Sequence, residues 1–330
     1  MLALRRISID YFNQYTKFEK PSGERRGPVE GHTEYHIGLR VLKVKAPPTS
    51  KDPIFTDNSV SEDIQFSNEP HSLMVLVIAR RDNEVIGMSK ERFEYVVEQF
   101  RLDPYILNLV SENWYGLYKT PTVYKGCHTF FIGTILYVLV FSFNPETRSS
   151  TAICLARNNN GLYRSQRVVD ELSYLLRTSA CNLNSPPFLI VVILTHLLQF
   201  LDKQLNQILQ RIRQIEFVTG HGPFGTDFDS TSFHKLGSIS KDLANLIVPL
   251  SNVTRHQEIA RSMVKCVEEY GKEPGYLHDV LQEPVQAELS AVLEVLKQQL
   301  EGSTGTVTYL RERTQSQISA VRAAHIIRNG

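Results

Sequence analysis

Pro186–Thr219, PPFLIVVILTHLLQFLDKQLNQILQRIRQIEFVT, is the stretch whose reading decides the fold. It opens with an apolar run, Phe188 to Leu194, and turns polar without losing its period. Leu194, Leu198, Leu201, Leu205, Ile208, Ile212 and Ile215 fall at alternating four- and three-residue steps. That spacing keeps seven large aliphatics on one stripe of an α-helix. Asp202, Lys203, Gln204, Gln207, Arg211 and Arg213 take the other faces. A helix of this length is about 50 Å long at ~1.5 Å per residue, more than a compact domain needs. The segment is therefore expected to be a strut leaving a globular part. Its stripe has two readings, a core within one chain or a seam between subunits, and the heptad spacing leaves both open.

Working outward, the 330 residues suffice for one large domain or two ordinary ones. Hydrophobic residues are 42% and charged residues 22%, a globular composition rather than a disordered one. Lys plus Arg is 36 against 35 for Asp plus Glu, and a net charge of +1 gives no overall attraction for nucleic acid or an anionic membrane. Cys127, Cys154, Cys181 and Cys266 form no CxxC pair and read as free thiols in a reducing compartment. The N-terminus, MLALRRISIDYF, lacks a signal-peptide core, so a cytoplasmic location is expected.

Residues 1–34 read as a polar lead-in, punctuated by Pro21, Gly23, Gly27, Pro28 and Gly31. Residues 35–185 read as an α/β domain. Strands are expected at Tyr35 to Val44, Leu73 to Ala79, His128 to Ile132, Leu136 to Phe143 and Thr151 to Ala156, with a long surface loop over Ala46 to Asp63. Ser89 caps a helix with Phe93, Val96, Val97 and Phe100 inside, and Asp103-Pro104 starts a shorter one. Turns are expected at Asn144 to Thr147 and at NNNG, Asn158 to Gly161; Val168, Val169, Leu172, Leu175 and Leu176 then mark a helix. The charge-free region Gly126 to Pro145 has an apolar core of only 14 residues, Phe130 to Phe143, against the ~20 a spanning helix needs. Its aromatic and β-branched content suits buried strands instead. The chain as written is expected to contain no membrane span.

Residues 186–330 read as a long-helix stalk or bundle with no strand. Gly220 ends the first helix. Leu236 to Val267 carries a second helical pattern with Pro249 inside it, breaking near Gly271 to Gly275. Val285 to Leu300 begins a third, with Gly302 and Gly305 weakening its continuation through Val307, Leu310 and Ile318. The fold class is α+β: an α/β/α mixed-sheet domain followed by long helices.

Each chemical motif has a plainer reading. Cys127-His128 suggests a nucleophile and base, but adjacent strand residues point to opposite faces, which favours a buried thiol beside a strand-edge histidine. Gly220 to Gly225 lacks the preceding strand and the lysine of a phosphate loop. Asp227 and Asp229 with His221 and His234 offer cation ligands in one loop, though Asp229 also suits a helix cap. Glu268 and Glu269 read as a solvated helix face. No metal-ligand set, catalytic residue or cofactor-binding residue is assigned, and no enzyme is expected.

The tract GCHTFFIGTILYVLVFSFNPETRSSTAI, the helix HLLQFLDKQLNQILQRIRQIEFVTG and the segment TYLRERTQSQISAV together resemble the cytosolic region of CorA-like divalent-cation transporters, in particular the fungal CorA-like branch. The resemblance covers roughly residues 70 to 321 and rests on tract similarity and element order. It implies an α/β/α cytosolic domain, very long helices assembling as a pentameric funnel, and Mg2+ as a regulatory ion. It also implies two transmembrane helices and a Gly-x-Asn pore motif, neither of which is found in these 330 residues. No pore residue is carried over, and this region alone is expected not to conduct ions. The expected function is a cytosolic regulatory region of a magnesium or related divalent-cation transporter, truncated before the membrane helices. It would self-associate through the stalk, alone or with full-length paralogues. The alternative is a soluble helical interaction or scaffold protein with no ion role.

Overall fold

In the computed structural model, residues 2–18, 39–45, 53–60, 69–79, 85–157, 165–180, 185–221, 236–272 and 283–329 are described. The chain forms two compact units, Met1–His196 with Lys265–Leu289, and Leu197–Val264 with Ser290–Gly330. The sequence places a division at residue 186; the first unit extends through His196 and takes back Lys265–Leu289.

The first unit is built on a seven-stranded sheet with the order β2-β1-β3-β7-β6-β5-β4. Its strands are β1 (Leu39–Lys45), β2 (Ile54–Val60), β3 (Ser72–Ala79), β4 (Gly116–Lys119), β5 (His128–Gly133), β6 (Tyr137–Asn144) and β7 (Ser149–Ala156). Every neighbouring pair is antiparallel except β3 and β7, which run parallel with Leu73 opposite Ser150. The sheet is thus two antiparallel wings joined by one parallel pair. Leu73 to Ile78 are all buried, as a central strand covered on both faces requires. The charge-free region becomes the antiparallel pair β5–β6, with Phe130 and Phe141 stacked at 4.6 Å.

Alternation along the strands sorts the side chains into two layers. Val41, Met74, Leu76, Ile78, Val138, Val140 and Ile153 face α2 (Lys90–Gln99) and α3 (Leu107–Ser111), where Phe93, Val96, Phe100 and Val110 close the core. On the opposite face, α4 (Ser165–Thr178) packs on β1 and β7. The first turns of α5 (Pro186–Thr219) lie on the same face, where His196 meets Tyr137. This is the expected α/β/α arrangement. Ser89 caps α2, its side chain accepting from the Arg92 amide at 3.4 Å; Asp103 caps the 3-10 turn Pro104–Ile106 that leads into α3.

Two expectations over the N-terminal part are corrected. Residues 1–34 are not a polar lead-in throughout: Leu2–Tyr15 forms α1, and residues 19–34 lie outside the described residues. Arg5, Ser8, Ile9 and Phe12 share one face of α1 at helical spacing, and the charged residues around them hide that face in the sequence. Phe12 is fully buried against Phe93, with ring centroids 5.5 Å apart. Arg5 Nε and Nη2 each donate to the Asp103 carboxylate at 2.8 Å, and Asp103 is wholly buried. The second correction is β2, inside the expected loop Ala46 to Asp63. Ile54–Val60 is polar because it is an edge strand paired on one side only. Asp57 there binds Arg40 of β1 and accepts from Ser173 of α4 at 2.8 Å.

Tyr35 to Gly38, Asn158 to Gly161 and Cys181 lie outside the described residues. β4, which follows Trp114 and Tyr115, is not among the strands expected from the sequence. It pairs with β5 where Gly133 lets the Trp114 backbone pass: a Cβ at Gly133 would lie 2.0 Å from the Trp114 carbonyl oxygen.

No strand is found among the described residues from 186 onward. α5 begins with Pro186 and Pro187, positions that need no amide hydrogen. It ends at Gly220, whose φ of +63° is the left-handed geometry of a helix stop. α6 (Leu236–Lys272) continues through Pro249, and α7 (Glu283–Asn329) runs without interruption through Gly302 and Gly305. Among the described residues, α5 is the helix long and apolar enough to cross a membrane by length and composition, and 72% of its most apolar window is buried inside the protein.

Candidate functional site

In the second unit, the aliphatic stripe of α5 is core. Leu198, Leu201, Leu205, Ile208, Ile212 and Ile215 are each no more than 4% exposed. Leu194, the first residue of the stripe, is equally buried within the first unit. The stripe therefore packs within one chain and is not open to another subunit.

Polar contacts fix the direction and register of the helices. Gln299 Nε2 donates to Asp202 Oδ2 at 2.6 Å, Arg313 Nε donates to Glu216 Oε1 at 2.9 Å, and Thr219 Oγ1 donates to Gln317 Oε1 at 2.9 Å. These partners are 97, 97 and 98 residues apart, so α5 and α7 run parallel at a constant offset. α6 runs the other way: Arg311 Nη2 donates to Thr254 Oγ1, and Gln257 Nε2 donates to Ser303 Oγ, both at 2.8 Å.

Among the described residues, the Glu216–Arg313 pair is the most buried ion pair of this bundle, with the carboxylate side chain 2% exposed and the guanidinium 10%. Burial works to lower the Arg313 pKa, but hydrogen bonding and attraction from Glu216 outweigh it and leave the group above its ordinary value. A second guanidinium contact, Nη2 to Glu216 Oε2, makes the pair bidentate. Such a pair specifies alignment more than it adds stability.

Between α6 and α7 lies a groove of about 370 Å³ lined by Ile247, Leu250, Arg311, Glu312, Thr314, Gln315 and Ile318. Ile247 of this lining is exposed, as is its chain neighbour Val248. Its floor is apolar and its rim carries one charge of each sign, a lining that accepts an amphipathic surface more readily than a small charged ligand.

The sequence-derived chemical candidates separate. Cys127 is buried at the start of β5, and burial pushes its thiol pKa up, which disfavours the thiolate a nucleophile needs. Cys154 in the sheet core is pushed up to about 12 by burial. Asp227, Asp229 and His234 lie outside the described residues. His221, just past α5, receives a hydrogen bond from Gln317 Nε2 on its carbonyl at 2.6 Å, while its Nε2 is 3.4 Å from Ser316 Oγ. Glu269 is exposed and pairs with Lys265; Glu268 is half-buried. Among the described residues, no three His, Cys, Asp or Glu side chains converge as a metal site.

Sequence reasoning missed the polar ladder of the bundle. Its signal is present: Glu216 follows Ile215 of the stripe, and Ser303, Thr314 and Gln317 occupy helical positions that run with Leu300, Val307, Leu310 and Val321. It also missed His196 on α5, which is 1% exposed. His196 Nδ1 lies 3.2 Å from Tyr137 Oη, and its Nε2 lies 3.5 Å from Glu171 Oε2.

No protein-family model matches the chain, and no curated protein matches it. Among solved structures, it is similar to the crystal structure of the ZntB cytoplasmic domain from Vibrio parahaemolyticus, with 9% sequence identity and a TM-score of 0.45, over 88% of this chain and 96% of that one.

Proposed function

We propose that this chain is the cytosolic regulatory region of a CorA-like divalent-cation transporter, with magnesium as the regulatory ion. The observation that most supports the reading is α5 itself. One continuous helix begins against a mixed α/β/α sheet and continues among very long helices, the element order that the tract resemblance implies. No catalytic step belongs to this reading, and the region would work on the cytoplasmic side.

The described residues offer no converging ligand set within one chain, so the ion would be held between copies, or between this chain and a full-length paralogue. Facing carboxylates repel until a cation neutralises them, and the cation then favours one arrangement of the subunits over another. Because the α5 stripe is internal, assembly would use other surface. Val292, Val295 and Tyr309 of α7 are exposed apolar positions in the second unit.

The test is a calorimetric titration of the intact chain with Mg2+, followed by sedimentation with and without the ion. Saturable binding at millimolar or lower concentration and an ion-dependent oligomer are expected. No binding heat together with an unchanged monomer would reject the reading. A soluble interaction module with no ion role is the second reading, favoured by the α6–α7 groove, whose lining residue Ile247 is exposed. A flat titration with a heteromeric partner lost on Ile247→Asp would select it.

A further inference from the structure

We propose that residues 302–308 of α7, GSTGTVT, form a hinge between two fixed points of the bundle. Three observations converge on this segment.

The first is composition. Seven consecutive residues inside a 47-residue helix are weak helix formers, and two of them are glycine. Close packing within the described chain does not explain the glycines. A Cβ at Gly302 or Gly305 would meet nothing within 4 Å, and both residues are exposed. Neither has the positive φ that would demand glycine.

The second is the hydrogen bonding of the threonines. Thr304 Oγ1 donates to the Leu300 carbonyl at 2.9 Å, Thr306 Oγ1 to the Gly302 carbonyl at 2.9 Å, and Thr308 Oγ1 to the Thr304 carbonyl at 3.3 Å. Each hydroxyl back-bonds to the carbonyl four residues earlier, a pattern that bends helices. It also leaves that carbonyl a partner if the backbone bond lengthens.

The third is the anchoring on either side. Before the segment, Gln299 is tied to Asp202; after it, Arg313 is locked to Glu216 and Gln317 to Thr219. Between these points α6 is hydrogen-bonded to the side chains of Ser303 and Thr304, through Gln257 and Arg261. A helix held at two places and weakened between them bends there first.

The hinge does not depend on the cation reading, because its test contains no divalent ion. Amide hydrogen exchange of the intact chain, read by mass spectrometry, should be at least about tenfold faster over 302–308 than over 293–300 and 309–316. Gly302→Ala with Gly305→Ala fits the available space and should slow that exchange on the order of tenfold while leaving the helix content unchanged. Uniform protection from 293 to 316 overturns the hinge. So does an exchange rate indifferent to the alanines. If the double variant alters sedimentation and not exchange, the glycines serve contact with a second copy, and the hinge is again overturned.

Discussion

Glu216 on α5 and Arg313 on α7, 97 residues apart, are joined bidentately inside the helical bundle. Their alignment repeats that of Asp202 with Gln299 two heptads earlier, so a slip of α7 by one heptad would separate both pairs. Arg313→Met leaves a buried carboxylate without its cation and should cost about 3–5 kcal/mol in urea unfolding. Glu216→Leu combined with Arg313→Met should recover most of that loss, because the desolvation penalty goes with the charges. A double variant as unstable as the single one would show that the pair is stabilising in itself.

The Arg5–Asp103 contact ties α1 to the turn before α3, and the Arg5 pKa is raised chiefly by its hydrogen bonds to Asp103. Arg5→Ala should expose a fully buried aspartate and loosen α1. We expect a stability loss of about 3 kcal/mol and new proteolytic cleavage between residues 2 and 18. Protection of α1 equal to that of the native chain would contradict this account.

At Gly133 the Trp114 backbone leaves no room for a Cβ. Gly133→Ala drives a methyl group into the Trp114 carbonyl, so β4 must shift or unpair from β5. A cost of about 3 kcal/mol or more is expected, read as a lowered melting temperature with altered Trp114 fluorescence. Trp114 is the chain's only tryptophan, which makes the signal specific.

Acid should weaken the β1–β2–α4 corner. Burial works to raise the Asp57 pKa, but hydrogen bonds from Arg40 and Ser173 overcome it and hold the group below its ordinary value. Its stabilising contribution is therefore complete above the unfolded pKa, about 4, and is lost as pH falls through the lower folded value. Native stability should fall more steeply than that of Asp57→Asn once pH drops below about 4. Parallel pH profiles for the two proteins would refute the assignment.

Most of the layered architecture is legible in the sequence because its signals are local. Leu73–Ile78 is an unbroken apolar run whose short length and flanking Pro70 and Arg80 suit a strand covered on both faces. The stripe from Leu194 to Ile215 is regular enough to define α5, and Gly220 ends that helix. What is hidden depends on partners far away in the chain. Arg5 reads as a charge in a polar leader until Asp103 faces it. Asp57 reads as a loop residue until Arg40 and Ser173 close around it. The stripe could not reveal which helices cover it, because any aliphatic surface satisfies it equally well. The polar exceptions on α5, Asp202, Glu216 and Thr219, are what name a specific neighbour.

The parallel join between β3 and β7 has a consequence for biosynthesis. When Leu73–Ile78 leaves the ribosome, β1 and β2 are already made and can line one side of it, while its other side waits for Ser149–Ala156, roughly 70 residues later. At ~5–20 residues per second that side stays open for several seconds. A bare apolar edge of this kind invites intermolecular strand pairing, so the nascent chain is most open to such pairing in that interval.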